Sequence, residues 1–392
     1  MKVIEPIWDW IEQHYNKERY LIIYGASGSG KSYTMAQFLV VNNLLQGHQY
    51  RTLITRKTWP SLRESAYRLI KEFLDRIGIE YQENKQEHVI KFNRNEFIFR
   101  SIDDPHKLKS TEFNYVWMEE ATEFTEQDFQ FLDINARRYN VEGLNQIFMT
   151  FNPIKTSWVY EHFWERRLID NTAILNTKYE INPFLDKRSI EAIENLKNQN
   201  KAMWKIYAKG EFAEPENIVY QNWDVVDTLP ATFDEVIYGG DFGFNNPTAV
   251  LKIDMKDGEI YIIDEIYKTQ MTNDDLIREL GHFYDNKSDY SFWDSAEPNR
   301  IEEIRRAGYN AHPAEKSVKE GINKVKEFKI HIHSKCVNTI KEIKTYSFKT
   351  DKSGHVLDEP VKFLDHAMDA LRYAVFTYFK NKTTQGVAVW TL

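Results

Sequence analysis

The sequence holds a single cysteine, Cys336, in 392 residues. One thiol excludes an intrachain disulfide and a cysteine-ligated zinc site, and it fits a reducing compartment. No uninterrupted run of about 18 apolar residues occurs, so no helix is predicted to span a bilayer. The start, Met1-Lys2-Val3-Ile4-Glu5-Pro6, lacks the apolar core of a secretory signal. These absences predict a soluble cytoplasmic protein. Low-complexity tracts and internal repeats are also missing. Nor is there a cationic excess: 51 Lys and Arg against 59 Asp and Glu give a net charge of -8. That excludes a surface that coats nucleic acid throughout, but not a local basic groove. Between Arg300 and Lys352 cations do recur, among them Arg305, Arg306, Lys316, Lys319, Lys324, Lys326, Lys329, Lys335, Lys341, Lys344 and Lys349. Solvated helix faces and a DNA-facing patch both fit that stretch.

What is present is ample for packed cores: 42% hydrophobic residues, with 14% aromatic. The length suggests two or three domains. From residue 20 to about 210, strand-like runs (51–55, 97–99, 115–118, 146–150) alternate with helix-like ones, the pattern of an α/β sheet. Residues 187–209 read as helical, and 210–217 as a turn-rich connector. The pattern then changes. Gly239-Gly240-Asp241 ends one strand; 248–254 and 259–266 form a hairpin through Asp257-Gly258. A helix over 274–284 and a strand over 290–293, ending at Asp294, complete the order of a ribonuclease-H-like domain. The expected division is 1–210, a linker at 211–218, and 219–392.

Residues Gly25-Ala26-Ser27-Gly28-Ser29-Gly30-Lys31-Ser32 match G-x-x-x-x-G-K-[ST]. An apolar strand-like run, 20–24, precedes them and a helix-compatible stretch, 32–45, follows. In that context backbone N–H groups curl around a triphosphate, Lys31 reaches the β/γ-phosphates and the Ser32 hydroxyl binds Mg²⁺. Such a site needs a second strand ending in carboxylates. Tyr115-Val116-Trp117-Met118-Glu119-Glu120 supplies it, with Glu119 on the metal side and Glu120 as the base that activates water. Thr150 and Asn152 in Thr150-Phe151-Asn152-Pro153 either sense the γ-phosphate or form a plain turn. A cation must meet the γ-phosphate; Arg56 leads the candidates, ahead of Arg63, Arg100, Arg137 and Arg138.

A second centre is predicted from Asp241, Asp294 and Asp369. Two-metal phosphodiester hydrolysis needs hard oxygen ligands converging from different elements around ions about 4 Å apart. Residues 363–373 read as a helix whose apolar stripe is Leu364, Ala367, Met368, Leu371, Val375 and Tyr378, with Asp365, Asp369 and Arg372 on another face. His366, three residues before Asp369, joins the candidate metal set. A β-hairpin, 345–349 with 361–363 around Asp351-Lys352-Ser353-Gly354, is expected before that helix. Its basic tip is either a DNA contact or an ordinary surface turn.

The residues resemble the large terminase subunit of tailed bacteriophages, nearest the branch of Gram-positive phages and PBSX-like prophages. The resemblance spans nearly the whole chain. It rests on the glycine loop, Thr55-Arg56-Lys57-Thr58 through Ser65, Asp104-Pro105 with Lys107-Leu108-Lys109-Ser110, Glu119-Glu120, Phe151-Asn152-Pro153, Gly240-Asp241-Phe242-Gly243, Asp294-Ser295-Ala296-Glu297-Pro298, and 365–373. Glu119 stands where many relatives have Asp. The fold implied is an ASCE-type P-loop ATPase domain followed by a ribonuclease-H-like nuclease. The function implied is a genome-packaging motor that spends ATP with Mg²⁺ (Mg²⁺ or Mn²⁺ at the nuclease) to move double-stranded DNA, and cuts concatemers. The partners implied are a small terminase subunit and the procapsid portal. The resemblance also implies a homo-oligomeric ring when packaging and a monomer in solution, in the host cytoplasm and transiently on the procapsid portal, with no membrane. Two other readings fit parts of the chain. One is an ATP-coupled nuclease of transposition or repair. The other is a portal-interaction protein with decayed sites, against which the intact Lys31, Glu120, Asp241, Asp294 and Asp369 argue.

Overall fold

The computed structural model describes residues 3–45, 49–102, 111–140, 143–351 and 355–387. The Asp104-Pro105 and Lys107–Ser110 motif and the hairpin-tip residues Lys352, Ser353 and Gly354 lie outside the described residues. The chain divides into two compact units, Met1–Pro215 and Glu216–Leu392. Among the described residues no helix is long and apolar enough to cross a membrane.

Among the described residues the first unit is built on eight strands: β1 (Tyr20–Gly25), β2 (Arg51–Arg56), β3 (Gln82–Asn84), β4 (Val89–Phe92), β5 (Asn95–Ser101), β6 (Tyr115–Glu119), β7 (Gln146–Phe151) and β8 (Thr172–Thr177). Their order is β3-β4-β5-β2-β6-β7-β1-β8. All pairs from β5 to β8 are parallel, whereas β3 and β4 add an antiparallel edge. Every residue of β6 and of β7 is buried, as expected for strands covered on both faces. Helix Lys31–Leu45 is also buried nearly all round, through Met35, Ala36, Phe38, Leu39 and Val40. Strand β7 lies between β1, which leads into the glycine loop, and β6, which ends in the acids. The parallel strands therefore bring Gly25, Arg56, Glu119, Phe151 and Thr177 to one edge, where open α/β sheets bind ligands. The 187–209 stretch is helical, in consecutive pieces. It breaks after Leu196–Asn198, because the Asn200 side chain accepts Met203 N–H at 3.0 Å and starts a new helix, Lys201–Trp204.

The second unit holds β9 (Trp223–Val226), β10 (Glu235–Asp241), β11 (Thr248–Lys256), β12 (Glu259–Lys268), β13 (Tyr290–Trp293), β14 (Ala311–Pro313) and β15 (Ile330–His333). The order is β14-β13-β10-β11-β12-β15-β9. Strands β10, β11 and β12 form an antiparallel meander, and β13 joins β10 in parallel. The β11–β12 turn has positive φ at both Asp257 (51°) and Gly258 (79°), the conformation that matches strand twist. A separate hairpin pairs β16 (Phe348–Thr350) with β17 (Val356–Pro360). Its second arm is Val356–Pro360 rather than 361–363, and just beyond it Val361 N–H still donates to Ser347 O at 2.9 Å.

Helix His366–Val387 lies against β10. It starts three residues later than its apolar pattern suggested, because Leu364 adopts a left-handed φ of 51°. Ala367, Met368, Leu371 and Val375 are fully buried on its inner face. The approach depends on Gly239: a Cβ there would strike the Ala370 carbonyl oxygen and come within 2.9 Å of the Ala374 Cβ. Gly239→Ala is accordingly expected to cost about 1–3 kcal/mol by overpacking. A lowered Tm would show it; an unchanged Tm would mean that the helix can slide aside.

Candidate active sites

In the first unit the glycine loop joins β1 to helix Lys31–Leu45. Gly28 and Gly30 take φ of 71° and 85°, which turn the chain over the helix start. Backbone and amide groups brace the loop from outside. Ala26 N–H donates to Thr177 O and Ser27 N–H to Tyr207 O, both at 2.8 Å. Asn152 Nδ2 donates to Gly25 O and Asn182 Nδ2 to Gly28 O, both at 2.7 Å. The Ser29 hydroxyl meets Thr177 Oγ1 at 2.9 Å. Lys31 Nζ folds onto its own loop, donating to Ala26 O at 2.8 Å and Gly25 O at 3.2 Å. Ser32 follows in the first helical turn.

Across the same sheet edge, Glu119 ends β6 and is only 4% exposed. The Ser65 hydroxyl donates to it, and Arg56 Nη1 lies 3.8 Å from its Oε2. Burial pushes the Glu119 carboxyl up, while Arg56 and Ser65 pull it back. Glu120 sits in the left-handed region (φ 51°, ψ 54°), so the chain turns sharply between the two acids and aims them differently. Arg56 is largely committed. Its Nε and Nη2 donate to the two Glu123 oxygens at 3.0 and 2.8 Å, a bidentate pair. Burial disfavours its charge, but Glu123 and Glu119 outweigh that and hold it firmly protonated. Arg137 and Arg138 lie at the other end of the sheet, next to Phe113 ahead of β6. Arg63 pairs with Glu64 and Arg100 with the Glu87 region. Arg56 is thus the one of the five at the end of a central strand beside the acids.

In the second unit β10 ends at Asp241, and Asp294 follows β13 directly. The two strands are parallel neighbours, and Asp294 N–H donates to Gly240 O at 3.1 Å. Asp369 comes from the first turn of the helix packed on β10. The three are close enough to interact. Burial raises the Asp241 carboxyl most, His366 lowers it, and the charges of Asp369 and Asp294 raise it further. Cations hold each acid. His366 Nδ1 meets Asp241 Oδ2 at 2.8 Å, and Lys316 pairs with Asp294. Lys362 Nζ lies 2.8 Å from Asp369 and 3.0 Å from Asp365, and Arg372 Nη2 donates to Asp369 at 2.8 Å. Those cations keep the Asp369 carboxyl below its ordinary value despite burial. Among the described residues no group of three or more His, Cys, Asp or Glu side chains is arranged to hold a metal ion. The donor chemistry nevertheless suits a hard divalent cation: three carboxylates from three elements, no thiolate, and mutual repulsion that positive charge relieves.

Two family models match the chain: phage terminase large subunit over residues 17–211, and terminase RNAseH-like domain over 241–376. The chain belongs to the phage terminase large-subunit family. It is 27% identical to the PBSX phage terminase large subunit of Bacillus subtilis (strain 168), over 92% of this chain and 91% of that one. It is 26% identical to the terminase large subunit of Bacillus phage SPP1, over 94% and 93% of the two. The crystallised large terminase of a thermophilic bacteriophage shares the fold, with a TM-score of 0.51 and 20% identity over 96% of this chain and 98% of that one.

In this terminase chain the structure gives roles to residues that no motif assigned. Glu123 and Ser65 engage Arg56 and Glu119, and Lys316 and Lys362 engage the second set of acids. The cation-rich stretch is largely matched by acids rather than bare. Arg306 pairs with Glu302, Lys319 with Asp358, Lys324 with Glu327, Lys329 with Asp224, Lys335 with Asp264 and Lys349 with Glu359.

Proposed function

We propose that this chain is the ATPase and endonuclease of a phage DNA-packaging motor. The observation that carries the reading is the pairing, in one chain, of the terminase large-subunit match over 17–211 with the RNAseH-like match over 241–376. Each match covers one candidate site. In the first, Gly25 to Ser32 hold the triphosphate of ATP, and Ser32 and Glu119 hold its Mg²⁺. Glu120 orients the attacking water, Asn152 reports on the γ-phosphate side of the loop, and Arg56 supplies transition-state charge once Glu123 yields it. The large terminase of the thermophilic phage has been crystallised with ADP, in keeping with that assignment.

In the second site Asp241, Asp294 and Asp369 would hold Mg²⁺ or Mn²⁺. Such ions, when bound, activate water and neutralise charge on a phosphodiester. His366 orients Asp241 through its Nδ1 contact. Lys316 and Lys362 hold the acids and then face the DNA phosphates. The expected domains are the ATPase over 1–210 and the nuclease over 219–392, joined at 211–218. The partners are double-stranded DNA, the small terminase subunit, the portal and further copies of this chain in a ring, in the host cytoplasm.

The deciding experiment mixes the purified chain with procapsids, small subunit, DNA and ATP, and measures DNA protected from nuclease. ATP-dependent protection is expected. ATPase and cleavage without portal-dependent protection would instead mark an ATP-coupled DNA-processing nuclease. Binding to double-stranded DNA should also fall steeply with salt, each neutralised phosphate adding about -0.9 to the log–log slope. A flat response would exclude phosphate contacts as the basis of binding.

A further inference from the structure

Helix His366–Val387 carries Asp369 in its first turn, where the Ala367 and Met368 amides need an acceptor to cap them. Asp365, the residue placed to do so, has its side chain paired with Lys362 at 3.0 Å. The cap comes from 25 residues upstream: Glu342 Oε2 accepts Ala367 N–H at 2.7 Å and Met368 N–H at 3.2 Å. Its other oxygen accepts the Tyr267 hydroxyl at 2.6 Å. Glu342 is 2% exposed, and a carboxylate buried that deeply is costly unless its donors are well placed.

Glu342 is itself held in place. It belongs to helix Val337–Thr345, whose start is fixed by Glu265 of β12. Glu265 accepts four bonds there: from Asn338 N–H (2.9 Å), Asn338 Nδ2 (2.8 Å), Thr339 N–H (2.8 Å) and Thr339 Oγ1 (2.7 Å). Tyr267, which orients Glu342, stands two residues along the same strand and so on the same face. The order of support runs from β12 to helix Val337–Thr345, then through Glu342 to the two amides between His366 and Asp369.

We propose that Glu342 is a positioning residue for the nuclease: it sets where helix His366–Val387 begins and how it is rotated, and so places Asp369 and His366 against Asp241. This rests on reading Asp369 as a nuclease carboxylate. Rotation of a helix start by a fraction of a turn displaces a first-turn side chain by an ångström or more, and misplacement of about that size costs about 100-fold in rate.

The test compares full-length wild type with E342A, E342Q and E342D, and with D369N as the inactive reference. Plasmid cleavage is measured with Mn²⁺, alongside ATP turnover and hydrogen exchange at the Ala367 and Met368 amides. E342A should lower kcat about 10- to 100-fold, leave KM for DNA and ATP turnover unchanged, and speed exchange at both amides. E342Q keeps an oxygen acceptor and should restore most of the kcat and the protection. Wild-type kcat in E342A, or an E342Q as slow as E342A, overturns the proposal. Should E342A fail to fold, E342D decides: its carboxylate is withdrawn from the amides, so a folded E342D should be slow, and full kcat overturns the proposal. A wild type no faster than D369N overturns the nuclease reading itself, while amide exchange still decides whether Glu342 is the cap.

Discussion

Lys31→Ala is expected to lower ATP turnover by about 10³-fold while DNA cleavage by the same chain continues. Lys31 is 8% exposed, and its ammonium lies on the loop carbonyls of Gly25 and Ala26. On the proposed reading, a short swing from those carbonyls would take Nζ to the β/γ-phosphates. Charge builds there as the bond to the γ-phosphoryl group loosens, and loss of one preorganised donor at such a point costs on the order of 10²–10³ in kcat. The glycine loop and the helix start remain, so nucleotide binding should weaken far less than turnover does. Lys31→Arg should not rescue, because a planar guanidinium neither fits that buried space nor places a point charge there. Phosphate release and plasmid cleavage, measured on one preparation, check both halves. ATP turnover within tenfold of wild type would remove the loop from the catalytic site.

The first site was legible wherever chemistry and local chain geometry coincide. The glycine spacing, the apolar run before Glu119-Glu120 and the strand before Asn152 each announce themselves within a few residues. Partners fixed by tertiary contact did not. Arg56 and Glu123 are 67 residues apart, and their bidentate pair exists only because β2 and β6 are parallel neighbours. Ser65 reaches Glu119 across 54 residues from a π-helical turn, Arg63–Tyr67, that no periodicity signals. The same limit explains the later half. The stripe of Ala367, Met368, Leu371 and Val375 disclosed the helix, but its start depends on Leu364 at positive φ and on Glu342, neither of which leaves a local pattern. The cation count between Arg300 and Lys352 left two readings open for a related reason: acids from other segments, such as Asp224, Asp264 and Asp358, fold back onto it. Gly239 reads in sequence as a strand-end residue and is in fact the place where a helix backbone meets a strand.

Asp294→Ala should abolish DNA cleavage, by on the order of 10³-fold or more, and leave ATP turnover intact. It is a cleaner test of the second site than Asp369. Replacing Asp369 strands Arg372, which is 2% exposed in its side chain, beside a lost partner. Breaking a buried pair on one side costs about 3–5 kcal/mol, so lost cleavage in Asp369→Ala would mix chemistry with a loosened helix. Asp294 is bound more lightly. Its main cation, Lys316, is 44% exposed and can turn to solvent, and the Ala296 N–H that it accepts at 2.9 Å lies in an exposed turn. Tm should therefore move by little in Asp294→Ala, because a solvent-facing pair contributes at most about 1 kcal/mol. Asp294 is also next to Asp241 across β10 and β13, so its removal relieves repulsion there and lets the Asp241 carboxyl fall toward its ordinary value. A stable, ATP-hydrolysing, cleavage-dead Asp294→Ala chain would place its carboxylate in the chemistry rather than in the fold. An Asp294→Ala chain that still cuts plasmid at the wild-type rate would take it out of the site and leave Asp241 and Asp369 as a pair too few to hold two metal ions.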